Sequence, residues 1–531
     1  MKRLLLVIIF PLQLLSQQVQ KPKLVVAIVA DQMRYEMLNR YEEHFSNKGF
    51  NLLRSQGFSF DNCNFGYMPT YTAPGHATIF TGNQPKTHGI IGNDWFVPEE
   101  DRYQYCTEDK KVKPVGTDDK NCNRSPIFLQ TPSVADFITE NSKSKSYGIS
   151  VKDRAAILPS GEDPDGAFWM DKDAYFVSST FYCKKLPKWL EDFNAKELQT
   201  KYMQNTWDLL LSDEKYTSSD ADLRPFEKTK LNETATFPYD LKAALEKNGK
   251  GVIKSTPWAN TILVDLAQQL IINESLGKDE NTDFLSISFS ATDYIGHDFG
   301  PNSREVQDAY LRLDADLARL IAFLDEQVGV GEYVLFLSSD HGVVDCPTRN
   351  GKGSYINKKD FKKYLVDYCI QEFGENLIRE ISNFQVWLDE DKMDELFLEI
   401  DHTSYMILNR ILEYQNGNAF EAGFTQIDVL DCVDPECFTF ANAYIDGLSG
   451  DIFFTLKEGN LLRSSNYGTS HGSGYEYDTH VPFLIYGAGI NSGNSKEKID
   501  VTDITPTILS LLGLNPNVQF DGKSWVELME K

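Results

Sequence analysis

Basic residues are scarce in this chain of 531 residues, which carries 52 lysines and arginines against 78 aspartates and glutamates, a net charge of −26. A surface of this sign repels nucleic acid and anionic membranes, so we expect neither as a partner. It would also repel an anionic substrate. Any site that binds a phosphate group must therefore be locally cationic.

Cysteines are few, and none of the eight stands in a CxxC motif or in zinc-finger spacing. This pattern argues against a cysteine-based metal site. The cysteines fit an oxidising compartment, in which Cys432 and Cys437 could close a short loop and Cys106 could pair with Cys122. The sequence does not define the other pairings.

Apolar runs long enough to cross a membrane are also missing. Lys2-Arg3 and the apolar stretch Leu4–Leu15, which Pro11 interrupts, predict a signal peptide over residues 1–22. A buried strand is the alternative, and the charges at the extreme terminus disfavour it. We therefore expect a periplasmic or secreted protein with no membrane span in the mature chain. The oligomeric state stays open, with a monomer favoured.

Buried β-branched runs alternate with amphipathic segments in the rest of the chain. Lys23–Ala30, Asp283–Phe289 and Tyr333–Leu337 are typical of strands buried on both faces, and Ser303–Val328 has the apolar period of a long helix. Strand, helix and strand at this spacing form a βαβ unit of a parallel sheet. The pattern predicts an α/β fold, a three-layer αβα sandwich around a mostly parallel central sheet.

Two regions interrupt this alternation. We expect one domain over residues 23–531, with cap-like insertions at about 94–250 and about 350–443. The first is rich in aspartate, lysine and aromatic residues, and the second alternates helical stretches with acidic turns. No internal repeat or low-complexity tract is present.

A threonine stands at the start of a predicted short helix within residues 68–93. Thr72 suits the N-cap position, Pro74 suits the first turn, and Gly82 suits the C-terminal stop. Free N–H groups and the helix dipole at such an end favour an alkoxide or a bound phosphate. Thr72 is therefore a candidate nucleophile, with Asn93 as a polar anchor nearby in sequence. An ordinary helix cap is the alternative.

Carboxylates and imidazoles recur where predicted strands end. In open α/β sheets ligands bind beyond the carboxyl ends of the strands. Six such side chains exceed the four ligands of one structural zinc, so two metal ions are the natural interpretation. Imidazole with carboxylate suits zinc, although other first-row metals accept the same ligands. The candidates are Asp31, Asp293, His297, Asp340, His341 and His471.

The remaining histidines are weaker candidates. His44, His76 and His88 fit helix or turn positions, and His480 could support a ligand or serve the fold. Asp401-His402 repeats the Asp340-His341 dipeptide but follows no buried strand and precedes no glycine. We therefore interpret Asp401-His402 as structural.

Several motifs in order along the chain carry a family resemblance. They are Val29–Arg34, Thr72–His76, His88–Asn93, Lys152-Asp-Arg154, Asp293–His297, Ser339–Gly342, His471-Gly472, Asp500–Thr505 and Asp521–Ser524. Taken together they resemble the alkaline phosphatase superfamily, specifically zinc phosphate-monoesterases of the PafA type.

The resemblance implies a two-zinc alkaline phosphatase. One zinc ion would lie among Asp31, Thr72, Asp340 and His341, and the other among Asp293, His297 and His471. Thr72 would be the nucleophile and form a phospho-threonine intermediate. Asn93, Lys152 and Arg154 would hold the free oxygens of a phosphate monoester.

Three other functions share part of this pattern. Nucleotide pyrophosphatases and phosphodiesterases have the metals and the threonine, but a diester lacks the third free oxygen that Lys152 and Arg154 would hold. Those two residues could instead be a solvated strand end. Sulfatases need Cys or Ser in (Cys/Ser)-x-Pro-x-Arg, where this chain has Thr72 and His76. A non-catalytic zinc-containing binding protein would have no need for Thr72.

Overall fold

The structure, a computed structural model, describes residues 21–140 and 143–529. Nearly all of the predicted signal peptide, 1–22, lies outside the described residues, and that assignment stays a prediction. Among the described residues no helix combines the length and the apolarity needed to cross a bilayer.

The strands are numbered in chain order. They are β1 Leu24–Ala30, β2 Phe58–Asn64, β3 Asp94–Val97, β4 Arg102–Tyr105, β5 Pro114–Val115, β6 Ser146–Ser150, β7 Gly166–Met170, β8 Phe176–Ser179, β9 Thr206–Trp207, β10 Tyr239–Asp240, β11 Asp283–Phe289, β12 Tyr333–Ser338, β13 Tyr355–Ile356, β14 Ile378–Ser382, β15 Gln385–Leu388, β16 Phe420–Thr425, β17 Ile452–Leu456, β18 Leu461–Leu462, β19 His480–Gly487, β20 Gly493–Ser495 and β21 Ile499–Asp500.

The α-helices are numbered in the same way. They are α1 Glu36–Arg40, α2 Phe50–Gln56, α3 Thr72–Thr81, α4 Pro85–His88, α5 Val134–Thr139, α6 Asp153–Ser160, α7 Lys188–Asn194, α8 Leu198–Tyr202, α9 Leu241–Asn248, α10 Trp258–Glu274, α11 Ala291–Phe299, α12 Arg304–Leu324, α13 Lys358–Phe373, α14 Glu390–Glu395, α15 Ile400–Gly417, α16 Gln426–Leu430, α17 Pro435–Ala441, α18 Glu476–Thr479 and α19 Ile504–Leu511.

A large mixed sheet forms the centre of the molecule, with the order β20-β2-β19-β12-β1-β11-β6-β7-β8-β5 and β21 beside β2. The central strands β12, β1, β11, β6 and β7 are parallel to one another. The strands β19 and β8 join this block antiparallel. The predicted mostly parallel α/β sheet is therefore confirmed.

Alternate residues of β1 enter opposite cores, as the two-residue period of a strand requires. Val26 and Ile28 belong to the core that α10 and α12 cover, and Val25 and Ala27 belong to the core that α3 and α19 cover. A strand buried on both faces must be apolar throughout, which explains the unbroken run Leu24–Ala30. The result is the predicted three-layer αβα sandwich.

The two regions predicted as insertions differ in their relation to the sheet. The range 94–250 contributes β5, β6, β7 and β8 to the central sheet, so only part of it forms a surface layer. Most of the range 350–443 folds around its own core and builds, together with β17, a separate sheet of order β14-β15-β17-β16. The strand β17, Ile452–Leu456, follows this insertion in the chain and pairs with β15 and β16 of the second sheet.

One of the two suggested disulfides is present. Cys432 and Cys437 are bonded. Cys106 and Cys122 are both free and buried, so their suggested pairing was wrong. They belong to different apolar clusters, Cys106 beside Trp95 and Cys122 beside Trp169, and each behaves as a small apolar core residue there.

A buried carboxyl pair between the first insertion and α12 predicts a pH dependence of stability. Burial raises the pKa of Glu227 to about 9, with the Glu305 carboxylate as the next cause, and burial raises the pKa of Glu305 to about 8. Tyr239 donates a hydrogen bond to Glu305 at 2.6 Å, and the other Glu305 oxygen has no hydrogen-bond partner among the described residues.

The folded state holds these protons more tightly than the unfolded state, in which a glutamate has a pKa of about 4.3. Stability from this pair is therefore full below that pH and is lost as the pH rises towards 8 and 9. Glu305→Gln copies the protonated form. We expect it to raise the melting temperature by a few degrees at pH 9 and by less than about one degree at pH 5. Thermal unfolding at both pH values measures this, and equal shifts would contradict it.

Candidate active site

Three carboxylates meet beyond the carboxyl ends of adjacent parallel strands. Asp31 follows β1, Asp293 lies in the first turn of α11 after β11, and Asp340 follows β12. All three are at most 3% exposed. Since β11 and β12 flank β1 in register, the sheet brings together side chains that are up to 309 residues apart in the chain.

Thr72 lies at the N-terminus of α3, at its first helical position. The N-cap position that we predicted for Thr72 belongs instead to Tyr71, whose extended backbone leads into the helix. Gly82 ends the helix in the left-handed conformation, as predicted. Gly75 lets the helix lie directly on the strand end, because a Cβ there would sit 2.1 Å from the carbonyl oxygen of Asp340.

The three predicted histidine ligands share one orientation. The Nδ1 atoms of His297, His341 and His471 lie 2.8–2.9 Å from the backbone oxygens of Thr469, Gly342 and Thr70. A carbonyl only accepts, so each Nδ1 carries the hydrogen, and in the neutral form of such a ring Nε2 keeps its lone pair. Metal-binding histidines typically donate the N–H of the ring nitrogen that does not bind the metal to an acceptor of this kind.

These Nε2 atoms face the carboxylates. His297 Nε2 lies 3.1 Å and His471 Nε2 lies 3.7 Å from the same Asp293 oxygen. His341 Nε2 lies 3.6 Å from one oxygen each of Asp31 and Asp340. The cluster thus gathers every acidic and imidazole ligand named from the sequence.

Two overlapping groups have the spacing of metal ligands. Asp293, His297 and His471 form one, and Asp31, Asp293 and His341 form the other, with ligand atoms within 4.8 Å of one another in each. The resemblance implied that Asp293 serves one ion alone, whereas the structure places it within reach of both groups. Asp340 lies beside the second group.

The charge states of these side chains favour cations. Burial lowers the pKa of His471 well below its usual value and also lowers the pKa of His341, which favours the neutral form of both rings. Burial alone would raise the pKa of Asp293 and Asp340, but neighbouring histidines and Lys152 outweigh it and hold both pKa values below the usual range. Burial, together with the Asp340 charge, raises the pKa of Asp31.

The donor set fits metal ions. Asp31 Oδ1 has no hydrogen-bond partner among the described residues, and Asp31 Oδ2 lies 2.7 Å from Lys152 Nζ. Asp340 Oδ2 makes no hydrogen bond among those residues either, with imidazole nitrogens of His76 and His341 at 3.3 and 3.6 Å. Buried carboxylate oxygens left in this way are costly unless a cation compensates them. These carboxylate oxygens and the three Nε2 atoms lie in the same cluster, where the single charge of Lys152 compensates the three carboxylates only in part.

The cationic residues converge on the Thr72 hydroxyl. Its Oγ1 lies 3.3 Å from Lys152 Nζ, 3.4 Å from Arg154 Nη2 and 3.4 Å from His341 Nε2. Asn93 Oδ1 accepts a hydrogen bond from the N–H of Ala73 at 2.9 Å, which leaves its amide Nδ2 as a donor. The structure thus brings all four predicted catalytic residues to one place.

Lys152 has a second set of contacts that the sequence did not reveal. Its Nζ lies 2.7 Å from both Asp31 and Asp293. Burial alone would lower the pKa of Lys152, but these two carboxylates raise it above its ordinary value. The ammonium group is therefore charged and compensates part of the negative charge between the two groups of ligands.

Three supporting residues were also missed. Tyr105 accepts a hydrogen bond from Arg154 at 3.0 Å. Gln32 donates to Asp293 at 2.6 Å from a left-handed backbone at φ 69°. Asp478 accepts from the N–H groups of Gly472 and Ser473, directly after His471. Only Gln32 stood in a motif, next to Asp31, and nothing local in the sequence marks the other two.

The histidines judged weak lie outside the ligand groups. His76 contacts the Thr72 carbonyl and the Ser288 hydroxyl, and His88 lies 3.1 Å from the Thr78 hydroxyl. His480 stacks on Tyr35 and bonds the Asp61 carbonyl, which is a structural role. His44 and His402 also lie away from the cluster.

Comparisons with known proteins agree with this geometry. A family model described as type I phosphodiesterase / nucleotide pyrophosphatase matches residues 25–384. Alkaline phosphatase PafA of Elizabethkingia meningoseptica is 39% identical over 508 residues, 94% of this chain and 92% of the relative. Alkaline phosphatase PhoV of Synechococcus elongatus is 37% identical over 525 residues, 97% of this chain and 94% of the relative.

The structural comparison extends over the same length. A crystal structure of wild-type PafA aligns with a TM-score of 0.90 at 39% identity, covering 96% of this chain and 99% of that chain. The family model, the two full-length relatives and the crystal structure all place the chain in the same superfamily. The chain belongs to the type I phosphodiesterase / nucleotide pyrophosphatase family of the alkaline phosphatase superfamily, among the PafA-type alkaline phosphatases.

Proposed function

We propose that the protein hydrolyses phosphate monoesters through a phospho-threonine intermediate at Thr72. The observation that carries this proposal is the pair of cations, Lys152 and Arg154, within 3.4 Å of the Thr72 hydroxyl. A monoester presents three free oxygens and an extra negative charge, whereas a diester has a substituent at the third oxygen. The two full-length relatives named above are alkaline phosphatases, which supports the same substrate class.

The reaction follows from the positions of these residues. Thr72 Oγ1 attacks phosphorus in line, so the bond from Oγ1 to phosphorus forms while the bond to the leaving oxygen breaks. Arg154 can hold two phosphate oxygens at once, Lys152 acts as a point charge, and Asn93 donates from its amide. Water then breaks the phospho-threonine bond and releases phosphate.

We further propose that the resident metals are two zinc ions. Asp31, Asp340 and His341 would hold one beside Thr72, and Asp293, His297 and His471 would hold the other. Such ions stabilise a hydroxyl as its alkoxide and take up negative charge on a leaving oxygen. Neutral imidazoles with carboxylates support zinc. The three carboxylates nearly balance two divalent ions, and Lys152 and Arg154 then supply the positive charge for the substrate.

We also propose that the protein is exported to the periplasm or secreted. Lys2-Arg3 and the short apolar stretch after them support a signal peptide. The bond between Cys432 and Cys437 supports an oxidising compartment.

Two model substrates test the proposed activity. We expect 4-nitrophenyl phosphate to be hydrolysed with a kcat/KM at least about 10²-fold above that of bis(4-nitrophenyl) phosphate. We expect Lys152→Ala and Arg154→Ala to lower kcat/KM for the monoester by about 10²-fold each, and to lower it far less for the diester, which lacks the third oxygen.

Lys254→Ala is a matched control, because Lys254 is also a largely buried lysine but bonds backbone carbonyls away from Thr72. It should leave the ratio of the two substrates unchanged. Equal or reversed rates for the two substrates in the wild type would assign the protein to the phosphodiesterases. Equal losses on both substrates in the two variants would remove the role given to Lys152 and Arg154.

A further inference from the structure

A cavity adjoins the active site on the side of His471. Its volume is about 180 Å³, and its wall is shared between the site and the second insertion. Tyr71 and His471 form the inner side. We call this cavity the insertion pocket; an apolar cavity of about 150 Å³ is large enough for a benzene ring.

The outer wall of the insertion pocket is mostly apolar. It includes Ile381, Phe384, Phe454, Leu456, Leu461 and Leu462 from the second sheet and the strand that follows it. Tyr71 packs edge-on against the His471 ring, with the ring centroids 5.5 Å apart. An aromatic or aliphatic group could therefore lie in the pocket in contact with apolar carbon while its reacting end reaches His471.

A strained hairpin tip supplies part of that wall. Ser382 pairs with Gln385, so Asn383 and Phe384 alone form the turn between β14 and β15. Both have positive φ, 50° and 62°, as in a type I′ turn, where glycine is preferred at the second position. A phenylalanine there costs about 1 kcal/mol or more. Such strain persists only where surrounding contacts hold it, and it is concentrated at functional sites.

The contacts that hold this tip belong to the active site. A Cβ on Gly472 would lie 2.9 Å from the Phe384 ring, so the ring rests directly on the residue after His471. Asn383 Nδ2 donates to the carbonyl of Asp94 at 2.7 Å, next to Asn93. The second insertion is thus held on the site by the turn that contains the strained Phe384.

Two cations line the pocket without an acidic partner. Lys358 and Arg463 are both half-buried, and neither has a carboxylate within 4.0 Å among the described residues. Arg463 donates a hydrogen bond to the carbonyl of Thr469. Burial raises the pKa of the Asp94 carboxylate, and Lys358 influences that group only electrostatically, by opposing the rise. No acidic side chain lines the pocket, although the chain has 78 of them. The pocket is therefore locally positive in a strongly negative protein.

The pocket borders one of the two ligand groups through His471. Thr72 is grouped with His341, Lys152 and Arg154, whereas His471 belongs to the ligand group of Asp293 and His297. In an in-line displacement the leaving oxygen departs on the side opposite the nucleophile. We infer that the insertion pocket binds the leaving group of monoesters in which an apolar body carries a negative charge at its far end. This inference rests on the proposed monoesterase activity and adds a substrate class to it.

Matched aryl phosphates test the inference. We compare 4-(2-carboxyethyl)phenyl phosphate with its neutral primary amide, since the two leaving phenols have nearly equal pKa values. The wild type should prefer the carboxylate by at least about five-fold in kcat/KM, as expected for one partly exposed charge pair. The 4-(2-phosphonoethyl) analogue shows whether a carboxylate or a phosphate-like group is the better charged end.

The cations are then removed one at a time. In Lys358→Ala the preference for the carboxylate should fall towards one, while kcat/KM for unsubstituted phenyl phosphate changes less than two-fold. In Arg463→Ala the preference should fall as well; only the ratio of the two substrates is compared there, because Arg463 also bonds the Thr469 carbonyl that accepts from His297. Lys359→Ala is the matched control, because Lys359 is the next residue, is exposed and does not line the pocket. It should keep the full preference.

A second variant avoids dependence on the charged residues. Phe384→Gly suits the left-handed turn and keeps the fold, and it should lower kcat/KM for both substituted aryl phosphates while their ratio is kept. A wild type with no preference for the charged ends, or a preference that survives removal of both cations, overturns the inference and leaves the monoesterase proposal intact. Absence of phenyl phosphate hydrolysis in the wild type overturns the monoesterase proposal itself.

Discussion

Replacing Thr72 by alanine is expected to lower kcat for 4-nitrophenyl phosphate by at least about 10⁴-fold, because the variant lacks the atom that attacks phosphorus. Substrate should still bind, since Lys152, Arg154 and Asn93 remain. Thr72→Ser keeps a hydroxyl at the helix N-terminus and should retain much more activity than the alanine variant. Steady-state kinetics of the three proteins measure the effect.

The control for this variant is another buried threonine of the same helix. Thr81 donates its hydroxyl to the Ala77 carbonyl and lies one helix length from the site. Thr81→Ala should keep kcat within about three-fold. Rapid quenching of the wild type with labelled substrate should trap phosphate on Thr72. Turnover by Thr72→Ala at near wild-type rates, or label on another residue, would contradict the assignment of the nucleophile.

Removal of metal ions is expected to abolish activity and to lower stability together. Without cations the cluster holds three buried carboxylates beside the single ammonium of Lys152, which is an uncompensated negative charge. Dialysis against a chelator should lower kcat/KM by at least about 10³-fold and the melting temperature by several degrees, because ions that bind only the folded state stabilise it. Zinc should restore both.

The repeated Asp-His dipeptide provides a control within the chain. Asp340→Asn and His341→Ala should each reduce the bound metal measured by elemental analysis from about two ions towards one. Asp401→Asn and His402→Ala alter the same residue types at the exposed start of α15 and should leave the metal content unchanged. Full activity after complete metal removal would refute the metal-dependent mechanism, and restoration only by another divalent ion would assign a different metal.

The central strands and the order of the motifs were predictable from the sequence. The strand Asp283–Phe289 has the expected bounds, and the strand expected over Lys23–Ala30 is observed as Leu24–Ala30. Both lie in the block of parallel strands, where burial on both faces demands continuous apolar sequence. Asp31, Asp293 and Asp340 follow such strands, so their meeting at one edge of the sheet follows from the parallel arrangement itself.

The surroundings of these residues were not predictable in the same way. Tyr105 contacts Arg154 across 49 residues of sequence, and no local pattern encodes such a contact. Asp478 accepts from Gly472 only six residues away, but its residue type alone does not distinguish it from the other acidic residues of the chain. Phe384 occupies a left-handed conformation that its residue type does not favour, directly after Asn383 in the same conformation. Their position is imposed by packing against Gly472 and by the bond to Asp94.

The sequence by itself determined which chemistry the protein can perform, because a hydroxyl, three carboxylates, three imidazoles and two cations stand at strand and helix ends. Tertiary structure alone decided how the ligands are shared, with Asp293 within reach of both groups and Lys152 between the carboxylates. It also decided which side chains of the second insertion line the pocket beside His471. The physical reason is that hydrophobic periodicity is local, whereas charge compensation and pocket shape depend on contacts between segments far apart in the chain.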